Sequence, residues 1–344
     1  MDTIRIKPHY SIIVHNSNMV ELRHGVWNSA SHMLNDENEE GILAKIMLGL
    51  NKQSTPAKIA SDIGINRSKI ESVLDYLQQI GVLQAKSESF IDCYVDTFVP
   101  TLKQPEKFNY SVSMPIVLIG DAYINSKIQS QLSSLVDIEV IDDPLLWSLI
   151  QQSGDDWLFD ALEQQRFIEQ FRIWKGKFII FSSRHINPIL ATRLNRIAYE
   201  LNISWLHLAI DGPFIFIGPT FHGSYGPCYD CFETRISMNL RESESYQKYK
   251  NAIAANQVYV QENDPLLRVT SNLLAAHASL EILNYVTTQC TFTSNKTLSI
   301  FLPTMEFVYH ELLKLPSCRT CGSVSYRDDT QLYFDFQRLI DEVA

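Results

Sequence analysis

Apolar positions in the N-terminal part of the chain change from a period of two to a helical period of about 3.6. Ile4-Arg5-Ile6 and Ser11-Ile12-Ile13-Val14 read as short strands interrupted at Pro8. His15 to Asn18 reads as a turn and Met19-Val20-Glu21-Leu22-Arg23 as the return strand. From Glu39 to Leu50, the residues Ile42, Leu43, Ile46, Met47 and Leu50 fall on one helical face. Thr55-Pro56 supplies a cap and a first-turn proline for a second helix ending at Ile63. After a turn at Gly64-Ile65, Asn66 caps a third helix carrying Ile70, Val73, Leu74 and Leu77 and stopped by Gly81, with Val82 to Ala85 as a closing strand. This order of elements predicts a winged-helix domain over residues 1–86.

From Pro115 the pattern changes to β-branched apolar runs alternating with helical segments. Strands are predicted at Pro115 to Gly120, Ile138 to Asp143, Lys177 to Ser182, Ile203 to Leu208 and Pro213 to Phe221. Helices are predicted at Ser126 to Leu135, Pro188 to Leu201, Tyr229 to Met238 and Asn272 to Val286. Leu298 to Leu302 and Glu306 to Leu312 read as a strand pair, and the charged run Arg241 to Lys250 as a solvated face. Strand–helix alternation predicts an α/β domain with a largely parallel sheet over residues 114–330. Residues 87–113, with Phe90, Tyr94, Phe98 and Phe108 among prolines, read as an ordered connector, and 331–344 as a tail.

The net charge of −10 argues against a nucleic-acid partner. The third helix agrees: Arg67 and Lys69 alternate with Glu71 and Asp75 and leave no basic stripe for phosphates. The other use of such a domain is to take an extended peptide as an added strand on its small sheet. In that reading Met19, Val20, Glu21, Leu22 and Arg23 receive the peptide, and Arg67, Ile70 and Leu74 face its side chains. The N-terminus shows no apolar signal-peptide core and no window has the length of a membrane span, so a soluble, cytoplasmic protein is expected.

Four of the six cysteines form two matched pairs, Cys228-Tyr229-Asp230-Cys231 and Cys318-Arg319-Thr320-Cys321. Two intervening residues in a turn aim both sulfurs at one centre, and two such turns supply the four thiolates of a tetrahedral Zn²⁺ site. Two redox dithiols or two local disulfides are the other readings of the spacing. A site closed by four cysteines is structural and ties the C-terminal region to the body of its domain. Cys93 is a scattered single; Cys290 is a candidate thiol that reads more simply as inert. His207, His222, His277 and His310 share no ligand spacing and read as packed or surface side chains.

The first strand of the α/β domain sits where a nucleotide fingerprint belongs, but Gly120-Asp121-Ala122-Tyr123 keeps only the first glycine. Asp121 places a like charge beside any phosphate, which disfavours ATP. Asp142 and Asp143 read as caps of the next element, with Asp142 as the candidate ribose contact.

Gly226-Pro227-Cys228-Tyr229-Asp230-Cys231, a following helix, a core helix and Leu315-Pro316-Ser317-Cys318-Arg319-Thr320-Cys321-Gly322 together resemble the zinc-bearing E1-like (ThiF-like) superfamily. Gly218-Pro219-Thr220-Phe221 through Arg235 looks most like its leader-peptide-binding members from azole- and azoline-forming pathways. The N-terminal element order and Arg5-Ile6-Lys7-Pro8 resemble the precursor-peptide recognition element of such proteins. The resemblance implies a Rossmann-like domain with a four-cysteine zinc staple and a partner YcaO-type cyclodehydratase that uses the ATP. It also implies, by analogy, a homodimer. It leaves a second reading, an E1-like enzyme that adenylates a peptide carboxylate. Adenylating members carry a glycine loop and an aspartate, and Phe181-Ser182-Ser183-Arg184 stands where that aspartate is expected.

Overall fold

A computed structural model of the chain describes residues 4–27, 31–52, 55–85, 94, 114–133, 139–259 and 265–322, divided into two compact units at Tyr110/Ser111. The connector, apart from Tyr94, lies outside the described residues, as do Cys93 and the tail 331–344.

The first unit contains strands β1 (Ile4–Ile6), β2 (Ser11–Asn16), β3 (Met19–Arg23) and β4 (Ser31–Asn35). Helices α1 (Leu43–Asn51), α2 (Pro56–Ile63) and α3 (Arg67–Gln79) follow, then β5 (Leu83–Ala85). β1 and β5 pair antiparallel, which closes the unit from its two ends. β2, β3 and β4 form an antiparallel sheet with β3 in the middle. The tight turn before β3 is held by Asn16, whose side chain accepts from the Asn18 amide at 2.8 Å. Thr55 accepts from the Lys58 amide and Asn66 from the Ser68 amide, so α2 and α3 start where their caps predict. Val20 and Leu22 pack with Ile46, Met47, Leu50 and Ile70 in a sealed core.

β4 has no counterpart in the sequence reading, and it changes the role of β3. Met19 to Arg23 is hydrogen-bonded to β2 on one side and to β4 on the other, so it cannot accept a third strand. This corrects the expectation that Met19–Arg23 receives the peptide. Two other residues assigned to peptide contact, Ile70 and Leu74, are buried in the core and hold α3 on the sheet.

The second unit is a mixed seven-stranded sheet with helices on both faces. Its strands are β6 (Ile116–Gly120), β7 (Val140–Asp142), β8 (Phe178–Ser183), β9 (Ser204–Asp211), β10 (Phe214–His222), β11 (Lys296–Phe301) and β12 (Glu306–Glu311). Its helices are α4 (Ala122–Ser133), α5 (Pro144–Gln152), α6 (Ala161–Glu169), α7 (Pro188–Leu201), α8 (Tyr229–Asn239), α9 (Ser243–Ala254) and α10 (Leu266–Thr288). The sheet order is β12-β11-β10-β9-β8-β6-β7. β7, β6, β8 and β9 run parallel, and β10 to β12 complete the sheet antiparallel. Every residue of β8 is buried, as a parallel strand covered on both faces must be.

α4 and α10 pack together, with α10 also lying against β9 and β10, while α7 packs with α5, α6, α8 and α9. Val117, Ile119, Phe181 and Trp205 meet Leu194, Ile197, Phe171 and Trp174 in one core cluster that also contains all four paired cysteines. α5 and α6 fill a stretch the sequence reading left blank. The charged run Arg241 to Lys250 falls largely on α9, which has no buried residue. No helix among the described residues is long and apolar enough to cross a membrane.

Candidate functional site

Cys228 is the residue before the first turn of α8 and Cys231 lies one turn in, so the helix sets both sulfurs on its inner side. Cys318 and Cys321 occupy a tight turn in which the Cys318 amide donates to the Leu315 carbonyl and the Gly322 amide to the Cys318 carbonyl. Gly322 is required there, since a Cβ would stand 2.4 Å from the Cys318 carbonyl oxygen. The turns meet with Cys228 Sγ 3.5 Å from Cys318 Sγ and Cys231 Sγ 3.3 Å from Cys321 Sγ. All four ligand atoms lie within 4.8 Å of one another, and all four residues are buried.

These separations exceed a disulfide bond of about 2.05 Å. They approach the roughly 3.8 Å edge of a tetrahedron with metal–sulfur bonds of ~2.3 Å. Two soft thiolates from each of two turns fit a metal such as zinc and leave no ligand position for water or substrate. Thiol hydrogen bonds from Cys228 and Cys318 pull Cys231 well below the usual thiol range, whereas contacts with Cys231 and Cys318 push Cys228 up. Neighbouring groups brace the site. The Leu315 amide donates to Cys231 Sγ at 3.3 Å, Thr320 Oγ1 donates to Asp230 at 2.6 Å, and Asn195 on α7 accepts from the Tyr229 amide at 2.9 Å.

The parallel sheet reverses its strand order between β6 and β8, and an open α/β sheet usually takes its ligand outside the carboxyl ends of such strands. Here that position is filled from within. Gly120 has φ +101°, and a Cβ on it would lie 2.0 Å from the Ser182 carbonyl oxygen. The Asp121 amide donates to that carbonyl at 2.9 Å, and the Asp121 carboxylate accepts from the Ile124 amide at 2.9 Å, capping α4. Arg184 donates to the same carboxylate, and Ser182 Oγ donates to Asn125 Oδ1 at 2.7 Å. A carboxylate therefore occupies the helix N-terminus where a phosphate would sit. Gly120→Ala is expected to cost about 3 kcal/mol in chemical denaturation, because the backbone conformation and the carbonyl contact both exclude a side chain.

Asp143 caps α5 through the Leu146 amide and accepts from Trp174 Nε1 at 3.0 Å, while Asp142 is exposed at the end of β7. The histidines are accounted for by their surroundings. His222 meets Ser294 Oγ at 3.0 Å, His310 meets Ser299 Oγ at 2.7 Å, and His277 lies beside the Phe307 ring. His207 is buried in β9. Cys290 is exposed beyond the end of α10.

In the first unit, a groove of about 550 Å³ runs between β4 and α3. Met33, Asn35 and Asp36 line one side, and Lys69, Val73 and Tyr76 the other. Met33 and Tyr76 are half exposed, so the groove offers apolar surface to a guest. β4 pairs only with β3 among the described strands, which leaves its outer edge open along the groove. Arg67 is ion-paired with Glu71 at 2.8 Å and does not line it. The sequence reading missed this groove because it missed β4.

No family model matches the chain, and no curated protein does. Solved structures share the fold. The heterocyclase TruD superposes with a TM-score of 0.62 at 18% identity, covering 94% of this chain and 43% of that one. A heterocyclase solved with substrate and cofactor gives 0.62 at 17% identity, covering 95% of this chain and 40% of that one. E. coli MccB, crystallised with AMPCPP and MccA, gives 0.52 at 13% identity, covering 94% of this chain and 100% of that one. The chain spans less than half the length of the two heterocyclase chains.

Proposed function

We propose that this chain captures the leader of a ribosomally made precursor peptide and presents the peptide to a YcaO-type cyclodehydratase, which closes Cys, Ser or Thr side chains into azolines. The observation that carries the reading is the groove between the open edge of β4 and the apolar side of α3. An extended peptide adds to β4 through backbone hydrogen bonds, and alternate side chains settle on Val73 and Tyr76. In this reading the first unit is a winged-helix recognition module. The second is an E1/ThiF-type Rossmann-like domain that docks the partner, and Zn²⁺ is the metal held by Cys228, Cys231, Cys318 and Cys321. Catalysis gains from tethering, which raises the local substrate concentration to the order of millimolar. The fold shared with two heterocyclases supports this assignment.

A second reading, ATP-dependent adenylation of a peptide carboxylate, draws on the fold shared with MccB over the whole of that protein. The Asp121 carboxylate at the sheet's switch point weighs against it, since that charge repels a triphosphate. Incubation with ATP and precursor, without a partner enzyme, separates the two. The expected result is no release of pyrophosphate or AMP above background; robust release of both would establish the adenylating reading.

A further inference from the structure

β12 is an end strand of the seven-stranded sheet. Among the described strands it pairs with β11 alone, in an unbroken register from Glu306 to Glu311, so its outer row of backbone N–H and C=O groups has no strand beside it there. Edge strands of soluble proteins are usually blunted by lysine, proline, a bulge or a covering element. β12 carries neither lysine nor proline, and its register with β11 has no bulge. All six of its residues are exposed, and Phe307, Val308 and Tyr309 at its centre are 48%, 36% and 51% exposed. Phe307 and, by alternation, Tyr309 point to the sheet face on which α10 lies, where the Phe307 ring is 5.9 Å from that of His277. Leu280, a turn further along α10, is also exposed, so the apolar surface continues from the strand onto the helix.

The order of side chains selects what this edge accepts. Glu306-Phe307-Val308-Tyr309-His310 reads alike from both ends, with an aromatic ring on each side of a central valine and an acid at one end matched by an imidazole at the other. Two copies related by a two-fold axis normal to the sheet pair their edges antiparallel, and directly opposed side chains then share a face. Since faces alternate along a strand, the numbers of two opposed residues must sum to an even number. That excludes the register that sets Glu306 against Glu311. With the axis at Val308, Glu306 meets the partner's His310, Phe307 meets the partner's Tyr309, and Val308 meets its own counterpart. An axis at Phe307 sets Glu306 against valine, and one at Tyr309 sets Glu311 against phenylalanine, so only the Val308 register matches charge with charge and ring with ring.

We propose that β12 joins two copies of this chain into one continuous sheet, with Val308 on the two-fold axis between flanking Phe307–Tyr309 and Glu306–His310 pairs. The pairing rests neither on leader capture, which is measured on the other unit, nor on the solved structures that share the fold. One short strand ladder is a small interface, so the dimer is reversible, with a dissociation constant on the order of 10 µM.

Sedimentation velocity of the full chain from about 1 to 100 µM reads the association, in about 0.15 M salt to screen the net charge of −10 on each copy. The wild type is expected to pass from monomer to dimer across that range. Val308→Lys sets like charges together on the axis and is expected to raise the dissociation constant about tenfold. Glu306→Lys is expected to raise it about threefold, and adding His310→Glu to restore it, a recovery that damage to the fold does not produce. Cross-linking fixes the register. In a Cys290→Ser background, Val308→Cys is expected to give about five times the interchain disulfide of Phe307→Cys or Tyr309→Cys, because only position 308 meets itself. A chain that stays monomeric across the range, because another segment of it covers the edge, overturns the proposal. So does a dimer indifferent to Val308→Lys, a double variant that does not recover, or cross-linking that favours Phe307→Cys or Tyr309→Cys.

Discussion

Cys231→Ser and Cys318→Ser are each expected to take the zinc content of the purified protein from about one ion per chain to near zero. The reason is the closed ligand set. Four buried sulfurs from turns 90 residues apart in sequence form the only such cluster among the described residues. A serine hydroxyl is a poor ligand for a metal that selects thiolates. The loss reaches the fold, because metal binding to a site absent from the unfolded chain counts as folding free energy, on the order of 10 kcal/mol for small zinc domains. Total stability is about 5–15 kcal/mol in an ordinary domain. Either variant is therefore expected to melt at least ~10 °C lower in calorimetry or to accumulate as insoluble protein. Strong chelation should do the same to the wild type. Cys290→Ser, exposed and outside the cluster, is the control that changes neither quantity. Elemental analysis and a thiol count in denaturant read the outcome. Full zinc retention in Cys231→Ser, or four thiols missing from the unreduced wild type, would sink the assignment.

The cysteine site was legible in the sequence because its information is local. Each pair is specified by a two-residue spacing and a turn, and four thiols at that spacing already suggest a shared metal. Two helix starts were legible for the same reason, since Thr55 and Asn66 cap amides three and two residues away. The parallel strands declare themselves by uninterrupted apolar runs. Long-range pairing is what the pattern does not carry. Ser31–Asn35 is a short strand with one buried residue, and nothing in its composition marks it as a strand. Without it, Met19–Arg23 looks like an edge, because alternation shows which face is buried and not whether both edges are paired. The segment from Pro144 to Trp174 was opaque for a different reason. Trp157, Phe171 and Trp174 are core residues set among short helices and single turns with no sustained period.

If the first unit captures a leader peptide as proposed, Val73→Asp on α3 is expected to weaken its binding about thirtyfold, ~2 kcal/mol. Val73 is half-buried, lines the groove with Met33, and packs against the margin of the core that holds Ile70 and Leu74. A carboxylate there meets apolar peptide side chains, with desolvation and no paired cation as its cost. Lys69, the nearest base on the groove, is already held by Glu40 at 2.6 Å. Tyr76→Ala removes a half-exposed ring from the same wall and should cost about tenfold, as truncated aromatic anchors commonly do. Arg67→Ala distinguishes the groove from the contact face first read in the sequence: Arg67 pairs with Glu71 away from the groove, so its loss should change affinity less than about twofold. Fluorescence anisotropy with a labelled leader peptide measures all three, with far-ultraviolet circular dichroism to check folding. Wild-type affinity in both Val73→Asp and Tyr76→Ala would move the peptide off β4 and α3, leaving β2 as the remaining open edge of the three-stranded sheet. A loss confined to Arg67→Ala would instead place the contact on the outer face of α3, where electrostatics and not strand addition would carry recognition.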